Sequence, residues 1–118
     1  MPALVYVVDD EEVIASTLVL ILKSSGYDAV SFVNPLEALH AAESVCPDIL
    51  ISDVMLPQMN GVDLAIQFKA LYPTCRVLLF SGQAATTDLL SRASESGHTF
   101  DVLPKPIHPK ELLDVLKA

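Results

Sequence analysis

Asp48-Ile49-Leu50-Ile51 is a nearly continuous apolar run, and Arg76-Val77-Leu78-Leu79-Phe80 is a second. Short runs without polar alternation suit strands that are covered by helices on both faces of a parallel sheet. Between them, Gly61 to about Leu71 carries apolar residues at Val62, Leu64, Ala65 and Phe68, the spacing of a crossover helix. Toward the N-terminus, Asn34-Pro35 reads as the cap and first residue of a helix reaching about Val45. Before it, Asp28 to Val33 is a weaker, more alternating strand, nearer a sheet edge. A helical pattern from about Glu11 to Ser25 is closed by Gly26, and Leu4-Val5-Tyr6-Val7-Val8 is the first strand. Toward the C-terminus follow a helix from roughly Thr86 to Glu95, a short strand from Asp101 to Leu103 and a last helix from Pro109 to Lys117. Strand and helix alternate five times, which predicts an α/β domain: a five-stranded parallel sheet, doubly wound as (βα)5.

The 118 residues are one domain's worth of chain, and 52% hydrophobic against 19% charged residues is ample for a core. Seven Lys and Arg against 15 Asp and Glu leave a net charge of −8, which repels nucleic-acid backbones and anionic membranes. The longest apolar stretches, Leu4 to Val8 and Leu18 to Leu22, are far too short to span a bilayer, and Met1-Pro2-Ala3 gives no basic start to a signal peptide. The expectation is an unprocessed cytoplasmic protein with no direct nucleic-acid binding and no membrane association. Cys46 and Cys75 lie far apart with no C-x-x-C, so reduced, buried thiols are expected rather than a disulfide or zinc site. His40, His98 and His108 lack ligand-like spacing and receive no chemical role.

In this architecture ligand chemistry gathers at the carboxyl ends of the strands. The polar residues falling there are Asp9, Asp10, Glu11 and Glu12 after the first strand, Asp53 after the third, Ser81 and Gly82 after the fourth, and Lys105 between Pro104 and Pro106 after the fifth. Each alone has an ordinary structural reading. The acids could cap and complement the first helix, Asp53 could cap a turn, Ser81 could cap a helix and Lys105 could be a solvated charge. Together, four strand ends place carboxylates, a hydroxyl and an ammonium group on one rim. Clustered carboxylates repel unless a cation neutralises them, and a hard divalent ion such as Mg²⁺ takes oxygen ligands of this kind. A carboxylate can also attack phosphorus, and phosphoryl transfer asks mainly for positioning and charge neutralisation.

Val7-Val8-Asp9-Asp10-Glu11, Ile51-Ser52-Asp53-Val54-Met55-Leu56-Pro57-Gln58-Met59-Asn60-Gly61, Leu78-Leu79-Phe80-Ser81-Gly82 and Leu103-Pro104-Lys105-Pro106, in that order, resemble the receiver domain of two-component response regulators. The resemblance covers essentially the whole chain, residues 1–118. It implies a flavodoxin-like strand order 2-1-3-4-5. It also implies that Asp53 is the phosphoacceptor and that Asp9 and Asp10 form the acidic pocket. Mg²⁺ (or Mn²⁺) would be bound by Asp10, Asp53 and the Met55 backbone carbonyl. Ser81 resembles the switch hydroxyl and Lys105 the lysine that pairs with the phosphoryl group. Pro57 and Gly61 would shape the loop beside the acceptor, and the Lys105-Pro106 bond is a candidate for the cis form. Met55 and Gln83 match positions that tune acyl-phosphate lifetime. The implied partners are a sensor histidine kinase or histidine phosphotransfer protein and a downstream effector, and the implied role is a switch rather than an enzyme. Homodimerisation through the face formed by the helices over 86–95 and 109–117 is a family habit.

Two features depart from the family pattern. Val102 stands where receivers usually carry an aromatic switch residue; Phe100, two residues earlier, lies on the same strand face without replacing it. The segment from Gly97 to Val102 is also about a residue longer than the common form. On the first helix, if Ile14, Leu18, Ile21 and Leu22 face the core, then Val13, Ser16 and Leu20 lie together outside, resembling a kinase-docking stripe. Alternative readings are a pseudo-receiver that binds partners without phosphorylation, a flavodoxin-like cofactor binder and a Mg²⁺-dependent phosphatase. The acids of 9–12 would repel a flavin phosphate, and no acid-base residue for a phosphatase stands beside Asp53.

Overall fold

The computed structural model describes residues 2–56, 59–81, 100–104 and 108–117. Its elements are β1 (Leu4–Val8), α1 (Glu12–Ser24), β2 (Asp28–Phe32), α2 (Pro35–Ser44), β3 (Ile49–Asp53), α3 (Gly61–Leu71), β4 (Arg76–Ser81), β5 (Asp101–Pro104) and α4 (Pro109–Lys117). The strands form one sheet of order β2-β1-β3-β4-β5, every pairing parallel. The predicted order and the edge placement of β2 are both borne out. The helix predicted over 86–95 falls outside the described residues.

Alternate strand residues divide the core into two layers, as the two-residue period of a strand requires. Val5, Val7, Ile49, Ile51, Leu78 and Phe80 pack with Ala15, Leu18 and Leu22 of α1 and with Leu112 and Leu116 of α4. Tyr6, Val8, Leu50, Val77 and Leu79 pack on the other face with Ala38 and Ala42 of α2 and Leu64, Ala65 and Phe68 of α3. Tyr6 is tolerated inside this second layer because its hydroxyl donates to the Val45 carbonyl at 2.6 Å, just past the end of α2.

Helix ends follow local chemistry. The Asn34 side chain accepts from the Leu36 amide at 2.8 Å, with Pro35 opening α2 as expected. Past α1, the Tyr27 amide reaches Leu22 O and the Gly26 amide reaches Lys23 O, with Gly26 at φ +94. This pair of hydrogen bonds with a left-handed glycine closes the helix. Arg76, at the start of β4, donates to the Leu116 and Val115 carbonyls at 3.2 and 2.8 Å, which ties the end of α4 to the sheet and suits the negative end of a helix.

Three sequence expectations are corrected. Leu18 and Leu22 are buried and Ile14 packs against the same core as read, but Ile21 is only partly buried and Ala15 takes a fully buried place beside them. The third strand begins at Ile49 and runs to Asp53, two residues beyond the apolar run, since the polar Ser52 and Asp53 continue the ladder to β4. Cys46 is exposed rather than buried, because it lies beyond the end of α2, whereas Cys75 is buried.

Burial pushes the Cys75 thiol up to about 11, with neighbouring Cys46 adding to the rise. Native protein at pH 8 is therefore expected to react with a thiol reagent at Cys46 within minutes and at Cys75 only on unfolding; equal labelling of both would contradict the burial. The folded thiol keeps its proton longer than the unfolded one. The stability this represents is intact below the ordinary value of 9.0 and is lost as the pH rises toward about 11.

Candidate functional site

The first-strand ladder ends at Val8, paired with Ser52, and the β3–β4 ladder continues one step further to Asp53 opposite Phe80. Asp9 and Asp53 thus emerge side by side at the carboxyl edge, between the two strands where the winding direction of the sheet reverses. Both are buried, Asp9 completely and Asp53 to 4% exposure, while Asp10 is exposed. One carboxylate oxygen from each of Asp9, Asp10 and Asp53 lies within 4.8 Å of the others.

Local hydrogen bonds orient two of these carboxylates. Asp9 Oδ1 accepts from the Glu11 amide at 2.9 Å, so Asp9 shapes the turn into α1 although the helix cap itself is Glu11, whose side chain makes no cap bond. Asp53 Oδ1 accepts from the Met55 amide at 3.1 Å. The Asn60 side chain caps α3, accepting from the Asp63 amide at 2.8 Å and donating to the Asp63 carboxylate at 2.9 Å. That cap delivers Gly61 against the strand: its amide donates to Val54 O at 2.7 Å, and a Cβ at this position would sit 2.1 Å from the Asp53 carbonyl oxygen. Only glycine allows that approach.

Ser81 closes β4 in register with Pro104 of β5. Met55 is 49% exposed beside the carboxylates. Val102 and Phe100 are both partly buried against the α2–α3 layer, so they share a face as expected. Lys105, Gln83, Pro57 and the Lys105–Pro106 bond lie outside the described residues. Val13 and Leu20, at 78% and 67% exposure, and Ser16 do lie on the outer side of α1. Sequence reading missed the buried Ser52, whose hydroxyl donates to the Asp53 carbonyl at 2.9 Å, and the Asn60 cap. The cap carried a signal, an Asn three residues before an Asp at a helix start. Ser52 carried none.

The donor set at this edge is made of oxygen alone and is negatively charged, which fits a hard divalent cation such as Mg²⁺ and does not suit a soft metal.

The family model for the response regulator receiver domain matches residues 5–117. The chain belongs to this family. CreB, a transcriptional regulatory protein of Escherichia coli, is 36% identical over 108 residues, which is 92% of this receiver chain and 46% of CreB. The probable transcriptional regulatory protein TcrX of Mycobacterium tuberculosis is 32% identical over 99% of the chain and 49% of its own length. The receiver chain thus spans about half the length of these curated relatives. Among solved structures, the CheY-like receiver domain protein of Methanospirillum hungatei superimposes with a TM-score of 0.88 at 25% identity, covering 99% of this chain and 92% of that one. The chemotaxis response regulator CheY4 of Vibrio cholerae gives 0.83 at 26% identity, covering 99% and 98%. Receiver domains are phosphoacceptor signalling modules of two-component systems, and the acidic edge described above is compatible with a divalent cation and an aspartyl phosphate. Among the described residues no helix is long and apolar enough to cross a membrane.

Proposed function

We propose that residues 1–118 act as one receiver domain that takes a phosphoryl group onto Asp53 from a histidine kinase or phosphotransfer protein, in the cytoplasm, and switches the binding of an effector. The observation that supports this most is the three-carboxylate cluster at the β1/β3 edge of a chain of this family. An Asp53 carboxylate oxygen attacks phosphorus, the P–N bond to the donor imidazole breaks, and an acyl phosphate remains. Asp10, Asp53 and the Met55 carbonyl would hold Mg²⁺ or Mn²⁺, which when bound neutralises charge on the acids and the incoming phosphoryl group. Asp9 completes the acidic pocket. Ser81 and Lys105 would engage the phosphoryl oxygens, and the added charge, about −1.5 to −2 for a phosphoryl group, supplies the switching energy. With Val102 in place of an aromatic, that energy reaches the partner face without a ring to move. Val13, Ser16 and Leu20 would dock the donor. The domain is a substrate and switch, assisting only its own phosphorylation and hydrolysis.

Intact mass after incubation with Mg²⁺ and acetyl phosphate tests the reading. One phosphoryl group is expected with Mg²⁺ and none without it. No adduct, together with no response to beryllofluoride, would instead favour a pseudo-receiver that works through contacts alone.

Asp10→Asn is expected to raise the melting temperature by a few degrees in Mg²⁺-free buffer, because it relieves repulsion among the clustered carboxylates. The same change should remove most of the stabilisation that Mg²⁺ gives the wild type. A melt insensitive to Mg²⁺ in both proteins would count against the ligand assignment. For the acyl phosphate, Met55 would hinder an attacking water and Gln83 would orient one. Met55→Asn should then speed dephosphorylation and Gln83→Ala should slow it, and unchanged rates in both would end that idea.

A further inference from the structure

The peptide that joins Asp53 to Val54 is held at both of its polar groups. Its N–H donates across the sheet to Phe80 O at 3.1 Å, and its carbonyl accepts from the Ser52 hydroxyl at 2.9 Å. The pairing of β3 with β1 has stopped at Ser52, one residue short, so this carbonyl lies beyond the β1 ladder. Ser52 is wholly buried near the end of β3, and its neighbours in the same layer, Leu50 within the strand and Val54 just past it, are apolar. A buried hydroxyl needs a partner, and the one it takes here belongs to the acceptor residue. Gly61 also approaches the same carbonyl closely. The next amide along, that of Met55, is the one that donates to the Asp53 carboxylate at 3.1 Å.

We infer that Ser52 is a positioning residue for phosphorylation: its hydroxyl fixes the rotation of the Asp53–Val54 peptide, which aims the Met55 amide at the Asp53 carboxylate and so sets the direction from which that carboxylate meets phosphorus. The inference rests on the reading of Asp53 as acceptor. Near-attack geometry tolerates little error, so a loosened peptide should slow the transfer while leaving the ligands that bind cation and donor in place.

The test compares wild type with Ser52→Ala, Ser52→Thr and Ser52→Cys. Phosphorylation time courses at several acetyl phosphate concentrations separate the saturating rate from half-saturation, and calorimetric Mg²⁺ titration and thermal melts accompany them. Ser52→Ala is expected to lower the saturating rate about tenfold with half-saturation and Mg²⁺ affinity within about twofold of wild type. Ser52→Thr keeps the hydroxyl and should recover most of the rate. Ser52→Cys keeps the volume with a weak donor and should resemble Ala, which covers the case in which the Ala protein does not fold. A wild-type rate in Ala and Cys, or a Thr protein as slow as Ala, would overturn the inference. The Met55 amide resonance provides a readout independent of phosphorylation. It should move and exchange faster with solvent in Ser52→Ala, and an unchanged amide would overturn the inference even if acetyl phosphate failed to modify any of the proteins. That last failure, in the wild type itself, would count against Asp53 as acceptor instead.

Discussion

Asp53→Asn is expected to take up no phosphoryl group from acetyl phosphate in Mg²⁺, a loss of roughly 10³-fold or more in rate. The reason is electronic. An amide oxygen carries no full charge and its nitrogen lone pair is delocalised, so neither atom attacks phosphorus as a carboxylate does. The fold should survive, because the Asn side-chain oxygen can still accept from the Met55 amide as Asp53 does at 3.1 Å. Circular dichroism and melting would confirm an intact domain while intact mass reports the missing adduct. An adduct formed at the wild-type rate would move the acceptor to one of the neighbouring carboxylates, Asp9 or Asp10.

The second large effect is expected at Gly61. A methyl group there would lie 2.1 Å from the Asp53 carbonyl oxygen and 2.9 Å from Val54 Cα, both backbone atoms that cannot step aside by rotating a side chain. Gly61→Ala must therefore push α3 away from β3 or bend the strand end. Either movement stretches the bond of 2.7 Å from the Gly61 amide to Val54 O. We expect a stability loss of about 2–4 kcal/mol and phosphorylation slowed by roughly a hundredfold, as a misplacement of about 1 Å would produce. Gly26→Ala is the control. Gly26 has φ +94 with open space around it, so alanine costs backbone strain of about 1–2 kcal/mol and should leave the phosphorylation rate of the folded protein unchanged. If both variants phosphorylate at equal rates, the close approach of α3 does not shape the site.

The sheet was readable where physics leaves one choice. Apolar runs at 49–51 and 77–80, too short for helices, suit strands covered on both faces, and Asn34-Pro35 and Gly26 mark helix ends by their own chemistry. The facing of α1 was less readable. Ile21 looks like a core residue by hydrophobicity, yet it is only partly buried while Ala15 is fully buried, because the side of a helix that meets the sheet is settled by the assembled layers. Cys46 was misjudged for a similar reason, because burial of a thiol depends on where the preceding helix stops. At the site, Asp9, Asp10 and Asp53 announced themselves by charge at strand ends, and the structure brings them together. Ser52 did not, since a hydroxyl bonded to the carbonyl of the next residue leaves no pattern in a sequence.

Every residue of β3 is buried, and the strand is bonded to neighbours on both sides. In mechanical terms Asp53 is mounted on a strand braced on both sides and covered on both faces, so a load applied there is poorly absorbed by yielding in place. The load must travel sideways until it meets something compliant. Sideways toward β2 lies a strand whose outer residues Asp28, Val30 and Ser31 are exposed, and toward β5 a strand of four residues at the opposite margin. Amide exchange should reflect this gradient: slowest at the centre of β3 and β1, fastest at the margins, with modification of Asp53 altering the margins far more than the centre.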